Sequence, residues 1–225
     1  MKRLLIAIPA YNEEPVLGAV IGSLPCQLTD IDEVCHLVVD DGSDDATAAV
    51  AKDSGAIVIS HPVNTGLGGA TRTAFAYARE QQFDFVVTLD ADGQHRGEDI
   101  ERVLWPVLAG EADLAIGQRQ LRLGQAPLRR ILGNRLMNIL TAGFAHQYVR
   151  DSQSGFRAFN LAALHQLDLR LWGMEHNSET VIQASRAGLR VASVPIPSIY
   201  SSYSLKKGQT SLNGLSIIYR LMTRR

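Results

Sequence analysis

The chain has 225 residues, 46% of them hydrophobic, and 22 basic against 23 acidic side chains give a formal net charge of −1. Mean hydropathy near zero excludes an intrinsically disordered chain and favours one sizeable core, so we expect a single domain over residues 1–225. No apolar run approaches the roughly 20 residues that cross a bilayer, and the first run is too short for a signal peptide. We therefore expect a cytoplasmic protein, with the isolated Cys26 and Cys35 reduced.

The first half of the chain alternates short apolar runs with helical patterns. It predicts five strands and four helices: strands over 4–8, 34–39, 56–60, 85–89 and 113–116, and helices over 14–24, 46–54, 70–81 and 98–108. Ser43 or Asp44 is expected to cap the second helix. This alternation predicts an α/β fold, with a mostly parallel, twisted sheet flanked by helices and joined by right-handed crossovers.

After residue 119 the alternation lapses. The second half predicts a long helix, a polar connection, a helix, a strand, a polar loop and a terminal helix: 128–144, 151–160, 175–187, 191–195, 200–213 and 212–222. Neither an internal repeat nor an interdomain linker is visible.

Acidic residues are missing from two windows of this half, between Asp113 and Asp151 and after Glu179. Basic residues fill both windows: Arg119, Arg122, Arg129, Arg130, Arg135 and Arg150, then Arg186, Arg190, Lys206, Lys207, Arg220, Arg224 and Arg225. The segregation predicts a basic face that meets phosphates, an anionic membrane surface, or both.

The long helix of this half is amphipathic, with Arg129, Arg130 and Arg135 beside its apolar stripe. Either the stripe packs into the core and the basic face is solvated, or the helix lies at the interface of an acidic membrane. The terminal helix has a similar composition. We therefore assign residues 120–150 and 212–225 as basic membrane-side segments of a protein peripheral on the inner face of the cytoplasmic membrane.

Polar segments follow four of the predicted strands: Pro9–Glu13, Asp40–Ser43, Asp90–Asp92 and Gly117–Arg119. The carboxyl ends of parallel strands meet at one edge of the sheet, and ligands of such folds bind beyond that edge. The four segments therefore predict one site.

Asp90 and Asp92 are expected to end a strand, where residues two apart share a face and both carboxylates reach one cation. Oxygen ligands favour Mg²⁺ or Mn²⁺, and Gln94 could add a neutral oxygen. The alternative is a solvated Asp-Ala-Asp-Gly turn without a ligand.

Asp41 follows a buried strand and could accept hydrogen bonds from a base or ribose, or could cap a helix. Tyr11 could stack on a base and Glu13 could bind a ribose hydroxyl, although both could also belong to a plain surface loop. The glycine-rich turn Gly66–Gly69 resembles a phosphate cradle, but it lacks Gly-Lys-Ser/Thr and we favour a packing turn.

Six motifs, in order over nearly the whole chain, resemble the family 2 glycosyltransferases of the GT-A fold, above all polyprenyl-phosphate (dolichol-phosphate) mannosyl- and glucosyltransferases. They are PAYNEE at 9–14, VVDDGSDDAT at 38–47, NTGLGGA at 64–70, LDADGQH at 89–95, GQR at 117–119 and DSQSGFRAF at 151–159. The resemblance implies transfer of a sugar from GDP-mannose or a UDP-sugar to a polyprenyl phosphate, with inversion at the anomeric carbon.

The resemblance also implies roles for individual residues. The nucleotide-sugar is expected on Pro9, Tyr11, Glu13, Val39, Asp41, Asp90, Ala91, Asp92, Gln94 and Arg119. The metal is expected on Asp90, Asp92 and Gln94, and the catalytic residues are expected to be Asp92, Arg119 and Arg157, with both arginines facing phosphates. The family often has a Lys where this chain has Leu67, and another where it has Ser211, for which Lys206 or Lys207 could substitute.

A lipid monophosphate is already an anion near neutral pH, since its second pKa is about 6, and needs no general base. A sugar hydroxyl would need one, such as Asp151 or Glu179. Alternatives are a family 2 transferase with a soluble saccharide or protein acceptor, a sugar-1-phosphate nucleotidyltransferase, and a non-catalytic nucleotide-sugar-binding module. Nucleic acid is not expected, since aromatic residues do not interleave with the basic stretches.

Overall fold

The computed structural model describes residues 1–120 and 128–197, with side chains from 132 onward in the helix that begins at Leu128. One seven-stranded sheet has the order β3-β2-β1-β4-β6-β5-β7. Its strands are β1 (Arg3–Ala10), β2 (Glu33–Asp40), β3 (Ile57–Ser60), β4 (Phe85–Thr88), β5 (Leu114–Arg119), β6 (Arg157–Asn160) and β7 (Val191–Ile196). The order reverses between β1 and β4, which is where a crevice opens at the carboxyl edge of such a sheet.

Helices cover both faces of the sheet, as predicted. They are α1 (Glu14–Gly22), α2 (Thr47–Asp53), α3 (Leu67–Glu80), α4 (Ile100–Leu108), α5 (Leu128–Ala145), α6 (Leu161–Gln166) and α7 (His176–Arg186). Successive side chains of β1 enter opposite layers of the core: Leu4 and Ile6 pack with α1, α2 and α4, whereas Leu5 and Ala7 pack with α3, α6 and α7. Two buried layers explain why this strand is uniformly apolar.

The polar connection predicted over 151–160 is wrong in its second half, where β6 lies between β4 and β5 and runs antiparallel to both. The prediction failed because a four-residue strand that begins with Arg157 carries little periodic signal. The helix α6 was also missed, and its cap is clear in the structure: Asn160 Oδ1 accepts a hydrogen bond from Ala163 N at 2.7 Å.

Two local predictions near the carboxyl edge need correction. Strand β4 ends at Thr88, so Asp90 and Asp92 lie in the following turn and not on a strand. The cap predicted at Ser43 or Asp44 is also wrong, because α2 has Ala46 at its N-cap position and no side-chain cap hydrogen bond. Asp45 Oδ1 accepts from Thr47 N at 3.0 Å. Ser43 Oγ instead accepts from Asn12 N.

Helix α5 places its apolar stripe differently from ordinary core packing. Leu132, Leu136 and Ile139 are 56%, 54% and 62% exposed. The inner face instead buries the polar Asn138 and Thr141 together with Met137 and Ala145. The reading in which the whole stripe enters the core is therefore wrong for these three residues.

Within residues 1–120 and 128–197, no helix has both the length and the apolarity that crossing a bilayer requires. The predicted loop over 200–213 and the helix within 212–225, with Lys206, Lys207 and Ser211, lie outside the described residues.

Candidate functional site

The loops after β1 and β2 are tied together at the carboxyl edge. Asn12, in the left-handed region at φ 53°, donates its N–H to Ser43 Oγ at 2.9 Å, and its Oδ1 accepts from Asp44 N at 2.9 Å. Glu13 N donates to Thr47 Oγ1 at 2.8 Å. This arrangement leaves Tyr11 40% exposed at the rim, where it can stack on a planar ligand, and buries Glu13.

Asp41 is buried and holds the segment that leads to α3. Its Oδ1 accepts from His61 Nδ1, Thr65 N and Thr65 Oγ1 at 2.7–2.9 Å, and its Oδ2 accepts from Gly66 N at 2.7 Å. Three donors reach Oδ1 and one reaches Oδ2, so the carboxylate is held in place while Oδ2 keeps one acceptor position. Asp41 is therefore a loop anchor in this structure, and the helix-capping alternative does not apply.

Replacing Asp41 by Asn should lower the free energy of unfolding by about 1–3 kcal/mol, because the amide nitrogen would face a donor it cannot accept from. The amides of Thr65 and Gly66 should lose protection in hydrogen exchange. Stability equal to wild type, measured by urea denaturation, would contradict the anchor.

The glycine-rich turn is a packing turn and not an open phosphate cradle. Gly68 N and Gly69 N both donate to the carbonyl of Trp172, at 2.7 and 3.3 Å. A Cβ at Gly68 would lie 2.1 Å from the carbonyl oxygen of Leu171. Glycine is thus required here because α3 begins directly against the 171–173 segment, and this contact could not be read from the sequence.

Asp90, Asp92 and Gln94 come together in the turn after β4. Gln94 orients Asp92, since its N–H donates to Asp92 Oδ1 at 3.0 Å and its side-chain amide donates to Oδ2. Burial and the charge of Asp90 raise the pKa of Asp92. Burial also opposes ionisation of Asp90. The His95 ring and the guanidinium groups of Arg119 and Arg157 nevertheless keep the pKa of Asp90 below its usual range.

Sequence reasoning missed two residues that shape this turn. His95 is buried, with Nε2 3.5 Å from Asp90 Oδ2 and its ring 5.1 Å from that of Phe156. Gly155 lies so close that a Cβ there would sit 2.3 Å from Asp90 Oδ1. His95 lies in the same turn as Asp90, in the motif at 89–95, but the sequence assigned it no role, whereas the approach of Gly155 to Asp90 depends on the tertiary fold.

The turn suits a divalent cation by its donor set. It offers two carboxylates, Asp90 and Asp92, and the pKa of Asp92 is raised first by burial and then by the charge of Asp90. A cation would relieve the repulsion between the two. Among the described residues, no group of three His, Cys, Asp or Glu side chains is arranged to hold an ion by itself. A Mg²⁺ or Mn²⁺ ion here would therefore need further oxygen ligands, such as Gln94, ligand phosphates and water.

Arg119 ends β5 and is fixed by Asp151. Asp151 Oδ2 accepts from Arg119 N at 3.0 Å and Nε at 2.8 Å, and Oδ1 accepts from Nη2 at 2.9 Å. The two side chains are 15% and 4% exposed. The guanidinium stands at the wall of an open cleft of about 340 Å³.

The residues that line the cleft come from β5, α5 and the loop after α5. They are Gln118, Arg119, Gln120, Asn134, Arg135, Asn138, Tyr148, Arg150 and Asp151. Three are arginines, and the only acid among these lining residues is already paired with Arg119. The cleft is therefore suited to an anion.

Arg157 does not face an open cleft. It is 2% exposed, and it donates to the carbonyls of Ser154, Ser152 and Asn177 at 2.7–2.8 Å. Burial lowers its pKa to about 10, against the raising effect of Asp151 and Asp90, so it remains a cation near pH 7. It supplies positive charge close to Asp90 and Asp151, and its predicted contact with a phosphate stays a prediction.

The remaining residues predicted to bind the nucleotide-sugar are apolar, so they could contact it only through backbone groups or by van der Waals packing. Val39 and Ala91 are 0% and 3% exposed, with side chains inside the core layers. Pro9 lines a cavity of about 10 Å³ beside Asp90, together with Leu67. Glu179, one candidate general base, instead accepts from Arg170 N and Leu171 N at 2.8 and 2.9 Å.

Comparison with known proteins agrees with this architecture. The model of the glycosyl transferase family 2 matches residues 5–168. An uncharacterized protein of Methanocaldococcus jannaschii is 38% identical over 225 residues, which are 97% of this chain and 90% of that protein. The UDP-N-acetylglucosamine–dolichyl-phosphate N-acetylglucosaminyltransferase of Methanococcus voltae is 35% identical over 243 residues, 98% of this chain and 95% of that enzyme.

A solved structure shows the same fold. Glucosyl-3-phosphoglycerate synthase from Mycobacterium tuberculosis, in complex with Mn²⁺, UDP and phosphoglyceric acid, matches with a TM-score of 0.74 and 26% identity over 97% of this chain and 78% of that one. With the family match over residues 5–168, the chain belongs to glycosyl transferase family 2 and has the expected GT-A fold.

Proposed function

We propose that this protein transfers a sugar from a nucleotide-sugar to a polyprenyl phosphate at a membrane surface. The observation that carries the proposal is the cleft lined by Arg119, Arg135 and Arg150. Arg119 also links this cleft to the turn after β4, because its charge helps to lower the pKa of Asp90. The charge of the cleft suits the phosphate of an acceptor. The Methanococcus voltae relative, whose name gives a dolichyl-phosphate acceptor, supports this assignment.

The acids at the site favour an acceptor that is already ionised. Asp151 forms an ion pair with Arg119, and Glu179 accepts hydrogen bonds from two backbone N–H groups. A hydroxyl acceptor would need a free base, whereas a phosphate monoester oxygen attacks without losing a proton. The attack forms the bond from phosphate oxygen to the anomeric carbon and breaks the bond to the nucleoside diphosphate, with inversion.

The turn after β4 would stabilise the negative charge of the departing nucleoside diphosphate. A Mg²⁺ or Mn²⁺ ion held by Asp90 and Asp92, with Gln94, would neutralise part of it. Gln94 keeps Asp92 oriented toward that position, and the buried Arg157 holds positive potential beneath it. The nucleoside would lie on Tyr11, Glu13 and the loop that Asp41 anchors, so an unanchored loop should also weaken binding of nucleoside diphosphate.

The transfer assay decides the acceptor. A radiolabelled nucleotide-sugar is offered with polyprenyl phosphate, with the matching polyprenol, or with a soluble saccharide. We expect label in the lipid phosphate only. A preference for the saccharide would overturn the lipid acceptor and leave the glycosyltransferase assignment intact.

The exposed stripe of α5 is the proposed membrane contact. Leu132, Leu136 and Ile139 are exposed on the same helix that supplies Arg135 to the cleft. Apolar side chains beside basic ones are typical of a helix lying on an acidic bilayer. A helix that lies in this way would bring the phosphate of a lipid acceptor next to the arginines of the cleft.

Vesicles with anionic lipid should bind the protein and release it as salt rises, because ions screen the surface potential. Replacing Arg129, Arg130 and Arg135 by Gln should weaken binding by up to about 1 kcal/mol per charge in vesicle flotation. Replacing Lys2, Lys52 and Arg102 by Gln removes equal charge away from α5 and serves as the control. Equal loss in both triple variants would contradict a specific α5 contact.

A further inference from the structure

Asn138 of α5 is a buried amide whose hydrogen bonds all reach one loop. It is 4% exposed. Its Oδ1 accepts from Ser152 N and Ser152 Oγ, both at 3.0 Å, and its Nδ2 donates to the carbonyl of Arg150 at 2.5 Å. One side chain thus holds the residues immediately before and after Asp151.

Asp151 in turn sets the position of Arg119. Three donors of Arg119 reach its carboxylate, including the backbone N–H of the last residue of β5. The guanidinium therefore cannot keep its place at the cleft wall if the loop at Asp151 shifts. Asn138 and Arg119 lie on different elements, and these hydrogen bonds join them through this loop.

The same helix carries a second contact that makes a matched comparison possible. Thr141 is 1% exposed; its Oγ1 donates to Ser178 Oγ of α7 at 2.9 Å and lies 3.3 Å from Ser152 Oγ. Thr141 anchors α5 to α7 but does not bracket Asp151. Loss of its hydroxyl should lower stability without moving Arg119.

We propose that Asn138 is a positioning residue for transfer, which holds Arg119 toward the acceptor phosphate by clamping both neighbours of Asp151. The inference rests on the proposed transfer to a phosphate-bearing acceptor. It explains why α5 buries an amide while it exposes Leu132, Leu136 and Ile139: the inward face of the helix serves the loop, and the outward face is left for the membrane.

Hydrogen exchange tests the clamp independently of the acceptor. The Arg119 amide donates to Asp151 Oδ2, whereas the Gly117 amide of the same strand donates to the carbonyl of Phe156. Asn138→Leu should speed exchange at Arg119 by tenfold or more relative to Gly117. Thr141→Val should leave this ratio unchanged, and an unchanged ratio in Asn138→Leu would overturn the proposal.

A milder variant guards against loss of folding. Asn138→Asp keeps an oxygen for Ser152 but loses the donor to the Arg150 carbonyl, so it should speed exchange at Arg119 by less than Asn138→Leu does. If the Arg119 amide of Asn138→Asp exchanges as in wild type, the hydrogen bond to the Arg150 carbonyl is dispensable. That result would contradict the proposal that Asn138 holds both neighbours of Asp151.

Transfer kinetics give the second readout. In assays with polyprenyl phosphate, Asn138→Leu should raise the acceptor KM about tenfold, and this effect should vanish in an Arg119→Ala background because Asn138 acts through Arg119. Additive effects of the two substitutions would show a merely structural role. If wild type transfers to no phosphate-bearing acceptor, the proposed function fails, while the exchange ratio still decides whether Asn138 positions Arg119.

Discussion

Asp92→Asn should reduce the rate of donor cleavage by a factor of 100 or more, equivalent to about 3 kcal/mol of lost stabilisation. The carboxylate that Gln94 orients would become a neutral amide, and the turn after β4 would keep only Asp90 as an anionic ligand for a divalent cation. The measurement is nucleoside diphosphate release with saturating Mn²⁺. A near wild-type rate in a folded variant would exclude Asp92 from the metal site.

The same variant should not lose stability without metal. Since burial and Asp90 raise the pKa of Asp92, its charged form destabilises the fold near pH 7, and a neutral Asn removes that penalty. The Asn oxygen can still accept from Gln94 N, and the half-buried Gln94 side chain can turn so that its own oxygen accepts from the new amide. We expect a Tm at least as high as wild type without a divalent cation, and a smaller Tm increase when Mn²⁺ is added. Asp44→Asn, which removes an exposed charge from the neighbouring loop, should change neither quantity.

Arg157→Met should lower the free energy of unfolding by about 3–5 kcal/mol, because the carbonyls of Ser152, Ser154 and Asn177 would lose a charged donor inside the protein. Urea denaturation followed by tryptophan fluorescence measures the change. The control is Arg170→Met, the same substitution at an exposed pair with Asp168, where we expect less than about 1 kcal/mol.

The outcome for Arg157 also separates two roles. A stable Arg157→Met variant that no longer cleaves donor would support the direct contact between Arg157 and a phosphate that the sequence predicts. Loss of stability with activity retained in the folded fraction would assign Arg157 to the scaffold beneath Asp90 and Asp151.

The strands of the first half, and the edge at which the site lies, could be predicted from periodicity and loop polarity. Runs such as Leu4–Ile8 are apolar because both faces of the sheet are covered. Asp90 and Asp92 follow β4 and Arg119 ends β5, and these two strands run in the same direction. These are local patterns with a fixed geometric consequence. The sequence therefore determined the fold class and most of the residues gathered at the carboxyl edge.

How those residues are held in the fold was decided only by tertiary contacts. Asp41 and Arg157 resemble ligand-binding residues in sequence, yet Asp41 anchors the loop before α3 and Arg157 lies under the site. The partners that hold them, such as Gly66 for Asp41 and Asn177 for Arg157, are 25 and 20 residues distant along the chain. A buried charge is stable only where hydrogen-bonding partners surround it. Those partners come from separate segments of the chain, so they are known only from the folded structure.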